Sequence, residues 1–402
     1  MKKLLIIGGG ASGIVAGIYA KKRGLDVTIL EKNNEVLKKL LLTGNGKCNY
    51  FNEYFDETKI NSENKELAKM IFSEDNINEA KDFFENIGIV PKVKNGYCYP
   101  FANNSYCMKE SLINEAESCG VNIKTNIFVN TIERKSNKFI VNNDYECDYL
   151  VLSTGSKSAL KDADMFNGYK LLKSFGHKII KPLPSLVQLK GSETYFDKWA
   201  KIRCDVSVKW FEDGKLKKEE KGEIQLTDYG VSGICIFNLS SGIIRGLANN
   251  THEEIKIDFL PFTSDHFAFI EKRKKLMPNS TVIEFLESLI NYKVVKIILK
   301  KSEINEEKIV SSLSETELKR LINNLQAFSL NITGYKSFLD SQVTSGGLDL
   351  NEVYIDRLES KRIPNLFITG ELLDIDGVCG GYNLMNAWIT GIIVGKSVGK
   401  ND

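Results

Sequence analysis

Leu4-Leu5-Ile6-Ile7-Gly8-Gly9-Gly10-Ala11-Ser12-Gly13-Ile14 decides how this 402-residue chain folds. Four apolar residues read as a short buried strand, stopped by glycine. Gly8, Gly10 and Gly13 occupy the three places of G-x-G-x-x-G. The first permits the tight turn from strand to helix, the second lets backbone approach a pyrophosphate, and the third lets helix and strand pack closely. Residues 11 to 23 carry helical spacing, with Ile14 and Ile18 beside the small Ala11, Ala16 and Gly17. Asp26 to Leu30 is the second strand, and Glu31 ends it. A carboxylate there accepts hydrogen bonds from ribose hydroxyls and repels a 2′-phosphate. The free N–H groups of the helix start face the phosphates. Ala11, Ser12 and Lys32 complete the expected nucleotide-binding set at this end.

The bulk numbers place limits on the rest. A chain this long exceeds one compact core and suits two or three domains. Hydrophobic residues make up 42% and charged residues 26%, and the formal net charge is +2. No strong basic excess points to nucleic acid. The basic stretches Lys215 to Lys221 and Lys272 to Lys275 contain or adjoin acids and read as solvated faces. The eight cysteines include no C-x-x-C pair, which argues against a dithiol motif, an iron–sulfur cluster or a zinc ribbon. His177, His252 and His266 have no metal-ligand spacing, so no metal is expected. The apolar start is too short for a signal peptide, and no run reaches the eighteen or so apolar residues of a membrane span. The expectation is a cytoplasmic protein without membrane or nucleic-acid partners.

Further along, residues 62 to 88 read as two helices, and Pro91 to Tyr106 as an aromatic loop with Tyr97, Tyr99 and Phe101. The texture changes near Pro182 and Pro184. Cys204, Val206, Val208 and Trp210 alternate with polar residues, Asp213-Gly214 supplies a hairpin turn, and strand-like runs continue from 223 to 260. Residues 265 to 328 turn helical. The first texture returns after about 334. The expected fold is α/β: a discontinuous Rossmann-like nucleotide domain (1–188 and 333–402) with a β-barrel-like insert (189–262) and a helical insert (263–332).

A second glycine-rich cluster selects the nucleotide. The strand Asn365 to Thr369 ends in Gly370-Glu371, followed by Asp376-Gly377 and Gly380-Gly381-Tyr382-Asn383. A helix beginning there presents its N-terminal amides to an electron-rich oxygen, such as the flavin carbonyl that gains charge on reduction. The glycines admit a flat ring against backbone. FAD is the expected cofactor.

Four stretches besides the first carry a family resemblance. They are Thr43-Gly44-Asn45-Gly46-Lys47-Cys48-Asn49, Gly222 to Gly233, Val343-Thr344-Ser345-Gly346-Gly347-Leu348, and Gly370 to Trp388. With them the chain resembles the YhiN/BaiN family of FAD-dependent flavoproteins. The resemblance implies FAD held by the discontinuous domain, with Lys47, Cys48, Asn49, Thr154, Gly155, Gly370, Glu371, Asp376, Gly377, Gly380, Gly381, Tyr382 and Asn383 around it. The sequence departs from the family at Lys47, where arginine is usual, at Asp228, where histidine is usual, and at Cys379, where threonine is usual.

A flavin carries the hydride itself, so the protein must place a substrate and manage protons. Thr344 and Gly346 are candidates to line the substrate pocket. Lys47, Tyr229 and Tyr382 are candidates for charge stabilisation or proton donation. The expected activity is FAD-dependent hydride transfer to or from a small organic molecule, either C=C reduction or amine oxidation. With no second G-x-G-x-x-G, NADH or NADPH would visit the flavin transiently. The alternative is a flavin-binding redox sensor or partner-binding protein without turnover. A flavoenzyme acting on RNA is disfavoured by the balanced charge.

Overall fold

The computed structural model describes residues 1–159 and 167–400. The first unit comprises Met1–Leu183 and Val343–Asp402. Its opening is strand β1 (Lys3–Ile7), helix α1 (Ala11–Lys22) and strand β2 (Asp26–Leu30). β1 pairs in parallel with β2, from Lys3 opposite Asp26 to Ile7 opposite Leu30. Asn122–Lys124 extends the sheet beyond β2, and Tyr149–Leu152 and then Leu366–Ile368 extend it beyond β1, all in parallel. Two short antiparallel strands, Glu359–Ser360 and Val353–Tyr354, complete a seven-stranded sheet.

Small residues bring the layers close. A β-carbon on Gly13 would stand 2.1 Å from the Gly8 carbonyl oxygen, and one on Gly17 would stand 3.0 Å from Ile29 Cδ1. The closing helix, Tyr382–Ser397, lies on α1 through the same device. A β-carbon on Gly391 would meet the Ser12 carbonyl at 2.6 Å, and one on Gly395 would meet the Ala16 carbonyl at 2.7 Å. Trp388 is fully buried and donates its indole N–H to Tyr50 O at 2.9 Å. Burying side chains such as Trp388, Ile389 and Val394 contributes about 1.5–3 kcal/mol each.

Residues 91–100 form strands Pro91–Lys94 and Tyr97–Pro100, joined by Asn95-Gly96, and not an aromatic loop. Phe51–Asn52 adds the third strand of that sheet. Both turn residues have positive φ (53° and 82°), as a two-residue hairpin with the strands' own twist requires.

The second unit, Pro184–Gln342, contains a closed antiparallel barrel. Its strands run in the order Leu189–Gly191, Gly230–Gly233, Lys215–Leu226, Arg203–Glu212, Glu253–Asp258 and Phe328–Tyr335. The last follows helices His266–Leu276, Val282–Glu287, Tyr292–Lys301 and Glu315–Gln326, so β and helical parts belong to one unit. Asp213-Gly214 makes the expected tight turn, with Glu212 opposite Lys215. Within the stretch read as strand-like, Ile234–Ala248 is a helix. Cys235, Ile236, Leu239, Ser240, Ser241, Ile243, Ile244 and Gly246 are its buried positions, a helical spacing in a stretch with four isoleucines.

One histidine makes the first unit pH-sensitive. His177 is 4% exposed, and neither ring nitrogen has a hydrogen-bond partner among the described residues. Burial lowers its pKa below 6.5, against a smaller opposing pull from Glu352 at 3.7 Å. The unfolded chain therefore binds more protons once pH falls below about 6.5, and stability falls with pH through that window. Thermal midpoints measured from about pH 7.5 to pH 5.5 are expected to drop less in His177→Phe than in the wild type.

Candidate functional site

The glycine turn is held in shape from three sides. The Gly9 N–H donates to Glu31 Oε2 at 2.8 Å, and Asn33 donates to Oε1 through its backbone N–H (2.8 Å) and its side-chain amide (2.6 Å). The Ser153 hydroxyl donates to the Gly8 and Ile7 carbonyls at 2.7 and 3.0 Å. Gly8 has φ +108°, and a β-carbon on it would lie 2.4 Å from Ser153 O. Glu31 thus fixes the loop and keeps about one of its four lone-pair directions for a ribose hydroxyl. Glu31→Ala is expected to destabilise the flavin-stripped protein by about 2–3 kcal/mol, because buried amides lose a charged acceptor. Urea unfolding of that form measures it.

In front of this turn the residues fit the ADP end of a dinucleotide. Gly10 caps α1 without a side-chain bond, and the first amide of the ladder is Ile14 N, donating to Gly10 O at 3.0 Å. The earlier N–H groups, on Ala11, Ser12 and Gly13, precede the ladder at the helix start, a position suited to an anion. Among the described residues nothing stands within 4 Å of a β-carbon built on Gly10 or on Gly155. The hydroxyls of Thr154 and Thr369 are buried without a partner among the described residues.

The far cluster meets this end directly. A β-carbon on Gly370 would stand 2.4 Å from Ser12 Oγ, and Gly370 N–H donates to Thr390 Oγ1 of the closing helix at 3.0 Å. Gly391 touches Ser12, and Tyr382 starts that helix, so a rise of roughly 13 Å separates the two helix starts. An extended cofactor suits that span.

At the other end, loop 377–383 is braced by Asn383, whose amide donates to Gly377 O and accepts from Gly377 N–H, both at 2.8 Å. Asn52 donates to Gly380 O at 2.8 Å, and Gly381 is left-handed at φ +94° against Phe51. Asp376 is buried, in the short strand Asp376–Gly377 that pairs with Ile60–Asn61. Tyr382 is buried, and its hydroxyl donates to Tyr54 O at 3.5 Å, a weak bond; burial raises its pKa.

Other sequence candidates have different surroundings. Glu371 accepts from Thr344 N–H at 3.1 Å and pairs with Lys39 at 2.8 Å, so it ties two segments together. Thr344 is fully buried, with its hydroxyl 2.7 Å from Ser158 Oγ. Gly346 (φ +91°) packs on Lys181 O. Lys32 and Lys47 are exposed. Cys48 is fully buried, and burial pushes its thiol to about 12. The Asn49 amide, turned to satisfy its neighbours, donates to Phe51 O and Cys98 O at 3.1 and 3.2 Å. Tyr229 lies in the second unit with Lys336 Nζ 4.1 Å from its ring centroid. Sequence reading missed Ser153, Lys39 and Asn52, which act across distant segments.

A family model described as the HI0933-like protein Rossmann domain matches residues 2–397. The chain belongs to the HI0933-like Rossmann family. The resemblance to YhiN/BaiN proteins points to the same family, and the HI0933-like chain is a flavoprotein oxidoreductase with a Rossmann FAD-binding fold. A 3-dehydro-bile acid delta(4,6)-reductase from Clostridium scindens is 35% identical over 408 residues, covering 100% of both chains. A ribosomal RNA dihydrouridine synthase from Haemophilus influenzae is 24% identical over 409 residues, covering 98% of each. The 3-ketosteroid delta1-dehydrogenase of Sterolibacterium denitrificans has the same fold, with a TM-score of 0.50 at 11% identity over 100% of each chain. Among the described residues no helix is long and apolar enough to cross a membrane, and no cluster of His, Cys, Asp or Glu could hold a metal.

Proposed function

We propose that this protein is an FAD-dependent reductase of a carbon–carbon double bond conjugated to a carbonyl, with NADH or NADPH as the visiting reductant. The observation that carries the reading is the junction of Ser12, Gly370 and Gly391, which joins the phosphate end and the closing helix in one unit. The names of the two relatives favour reduction over amine oxidation, since each describes saturation of a C=C next to a carbonyl.

Gly8, Gly10, Gly13, Thr154 and Glu31 would hold the ADP end. Loops 43–49 and 377–383 and the start of the closing helix would hold the flavin. Bound flavin supplies the hydride for the β-carbon of the substrate. The chain must then exclude water, orient the enone and deliver a proton to the α-carbon. Tyr382, a phenol whose pKa burial raises further, is the donor at the flavin end. Lys47 has no ion pair among the described residues and supplies a positive charge on the first loop.

The test is anaerobic. The yellow protein is reduced with NADH or NADPH, and reoxidation is followed with a conjugated keto-steroid, a simple cyclic enone and a panel of amines. Return of the visible absorption with an enone, with one saturated product per flavin, is expected. Bleaching of oxidised flavin by an amine, with enones inert, would overturn the reading.

A second substrate class rests on one surface observation. Helix Tyr292–Lys301 exposes Tyr292, Lys293, Lys296 and Lys300 on one face, although Glu306 pairs with Lys296. This short basic stripe was not anticipated from the balanced charge. It suits a phosphate backbone, and uridine is also a conjugated C=C. Dihydrouridine formed in ribosomal RNA by purified protein and NADPH would favour it over a free small molecule.

A further inference from the structure

The three-stranded sheet of Phe51–Asn52, Tyr97–Pro100 and Pro91–Lys94 has two unlike faces. Register puts Asn52 beside Tyr97, Tyr97 beside Lys94, and Tyr99 beside Lys92. Directly opposed residues share a face, so Asn52, Tyr97, Tyr99, Lys92 and Lys94 form one. Phe51, Cys98 and Val93 form the other.

The first face leans on both loops assigned to the flavin. Tyr97 Cε1 lies 2.9 Å from where a β-carbon on Gly380 would stand, and Asn52 donates to Gly380 O at 2.8 Å. Tyr99 Cε1 lies 3.6 Å from where a β-carbon on Gly44 would stand. Two half-buried aromatic rings thus connect loops 377–383 and 43–49. Beyond them, at the strand away from these loops, Lys92 and Lys94 are exposed. Neither has an ion pair among the described residues, and none of the sheet residues that share their face by register is acidic. Glu53, which follows the sheet's third strand, is 3.9 Å from Lys81.

We infer that this hairpin is the substrate-recognition element, and that it selects a flat apolar molecule carrying an anionic group at the end far from the flavin. The tyrosine rings supply the apolar platform. Two unpaired ammonium groups at its outer edge supply attraction for a carboxylate or sulfate. A neutral edge would leave the far end of the substrate unread. The inference rests on the proposed flavin position between the two loops.

The experiment uses the intact flavoprotein and one pair of probes, a conjugated keto-steroid acid and its methyl ester. Each is titrated against oxidised flavin, read as a shift of the visible band, and then assayed for reoxidation of reduced flavin. The acid is expected to bind about five- to tenfold more tightly than the ester at low salt, and to lose that advantage at high ionic strength. In the Lys92→Gln/Lys94→Gln double variant the two Kd values, and the two KM values, are expected to agree within about twofold. Both positions are exposed, so the variant should keep its fold, which its flavin spectrum checks. Equal affinity of wild type for acid and ester, or a preference that survives the double substitution, overturns the inference. Failure of every enone to reoxidise the flavin strikes the proposed reaction instead, and the binding titration still judges the hairpin. A Tyr99→Ala variant that binds both probes as tightly as wild type removes the platform from the model of recognition.

Discussion

Replacing Gly10 with valine is expected to give colourless protein whose thermal midpoint matches that of flavin-stripped wild type. The backbone at Gly10 is extended (φ −80°, ψ −173°), which valine adopts readily, and a β-carbon there meets nothing within 4 Å among the described residues beyond its chain neighbours. Exchanging one cap residue for another without a side-chain acceptor costs on the order of 1 kcal/mol or less. The added isopropyl group, however, fills the space ahead of the first-turn amides. FAD affinity should fall by more than about a hundredfold, or some 3 kcal/mol. Fluorescence titration of the stripped variant with FAD measures it. Gly13→Val is the contrasting case. Its β-carbon would stand 2.1 Å from Gly8 O and 2.5 Å from Ser153 Oγ, so the variant should lose stability as well as colour. A yellow Gly10→Val protein would mean that no phosphate lies in front of α1.

Gly391→Leu is expected to be the most damaging single substitution away from that turn. Its β-carbon would stand 2.6 Å from the Ser12 carbonyl oxygen and 3.3 Å from Ser12 Cα. Both are backbone atoms, which cannot turn aside as a side chain can. Overpacking usually costs about 1–3 kcal/mol, and here the closing helix must shift bodily, so a loss of at least about 3 kcal/mol is expected in guanidinium unfolding. Ser12 also meets Gly370, so the same movement opens the phosphate end and flavin should be lost. Gly391→Ala should give a smaller loss of both stability and flavin. Unchanged unfolding in the leucine variant would contradict the close approach of the two helices.

The glycine turn, its acidic partner and the α/β class were legible because each depends on residues within about thirty positions of one another. The closing strand and helix were legible for the same reason. The hairpin at 91–100 carried a usable signal in Asn95-Gly96, but the stretch from Pro91 to Tyr106 reads as an aromatic loop, and its strands begin and end in proline, which strands seldom carry. Its third strand also comes from forty residues upstream. Helix Ile234–Ala248 was hidden by its isoleucines at 234, 236, 243 and 244, which suit a strand as readily as a helix. The Lys39–Glu371 pair joins residues 332 positions apart, and no local pattern in one sequence announces such a meeting. Thr344 reads as a pocket residue from its place where the insert returns to the nucleotide domain. Its buried bond to Ser158, across 186 positions, is equally invisible without the fold.

Ser12 lies against Gly370 and Gly391. On the ribosome, the first thirty residues therefore emerge long before the surfaces that complete their cradle. A growing chain has to hold an unfinished sheet, with Tyr149–Leu152 open along one side, until Leu366–Ile368 is synthesised. Capture of a coenzyme by this cradle would then wait for the helix Tyr382–Ser397, and scarcity of riboflavin would leave the finished cradle empty and less stable.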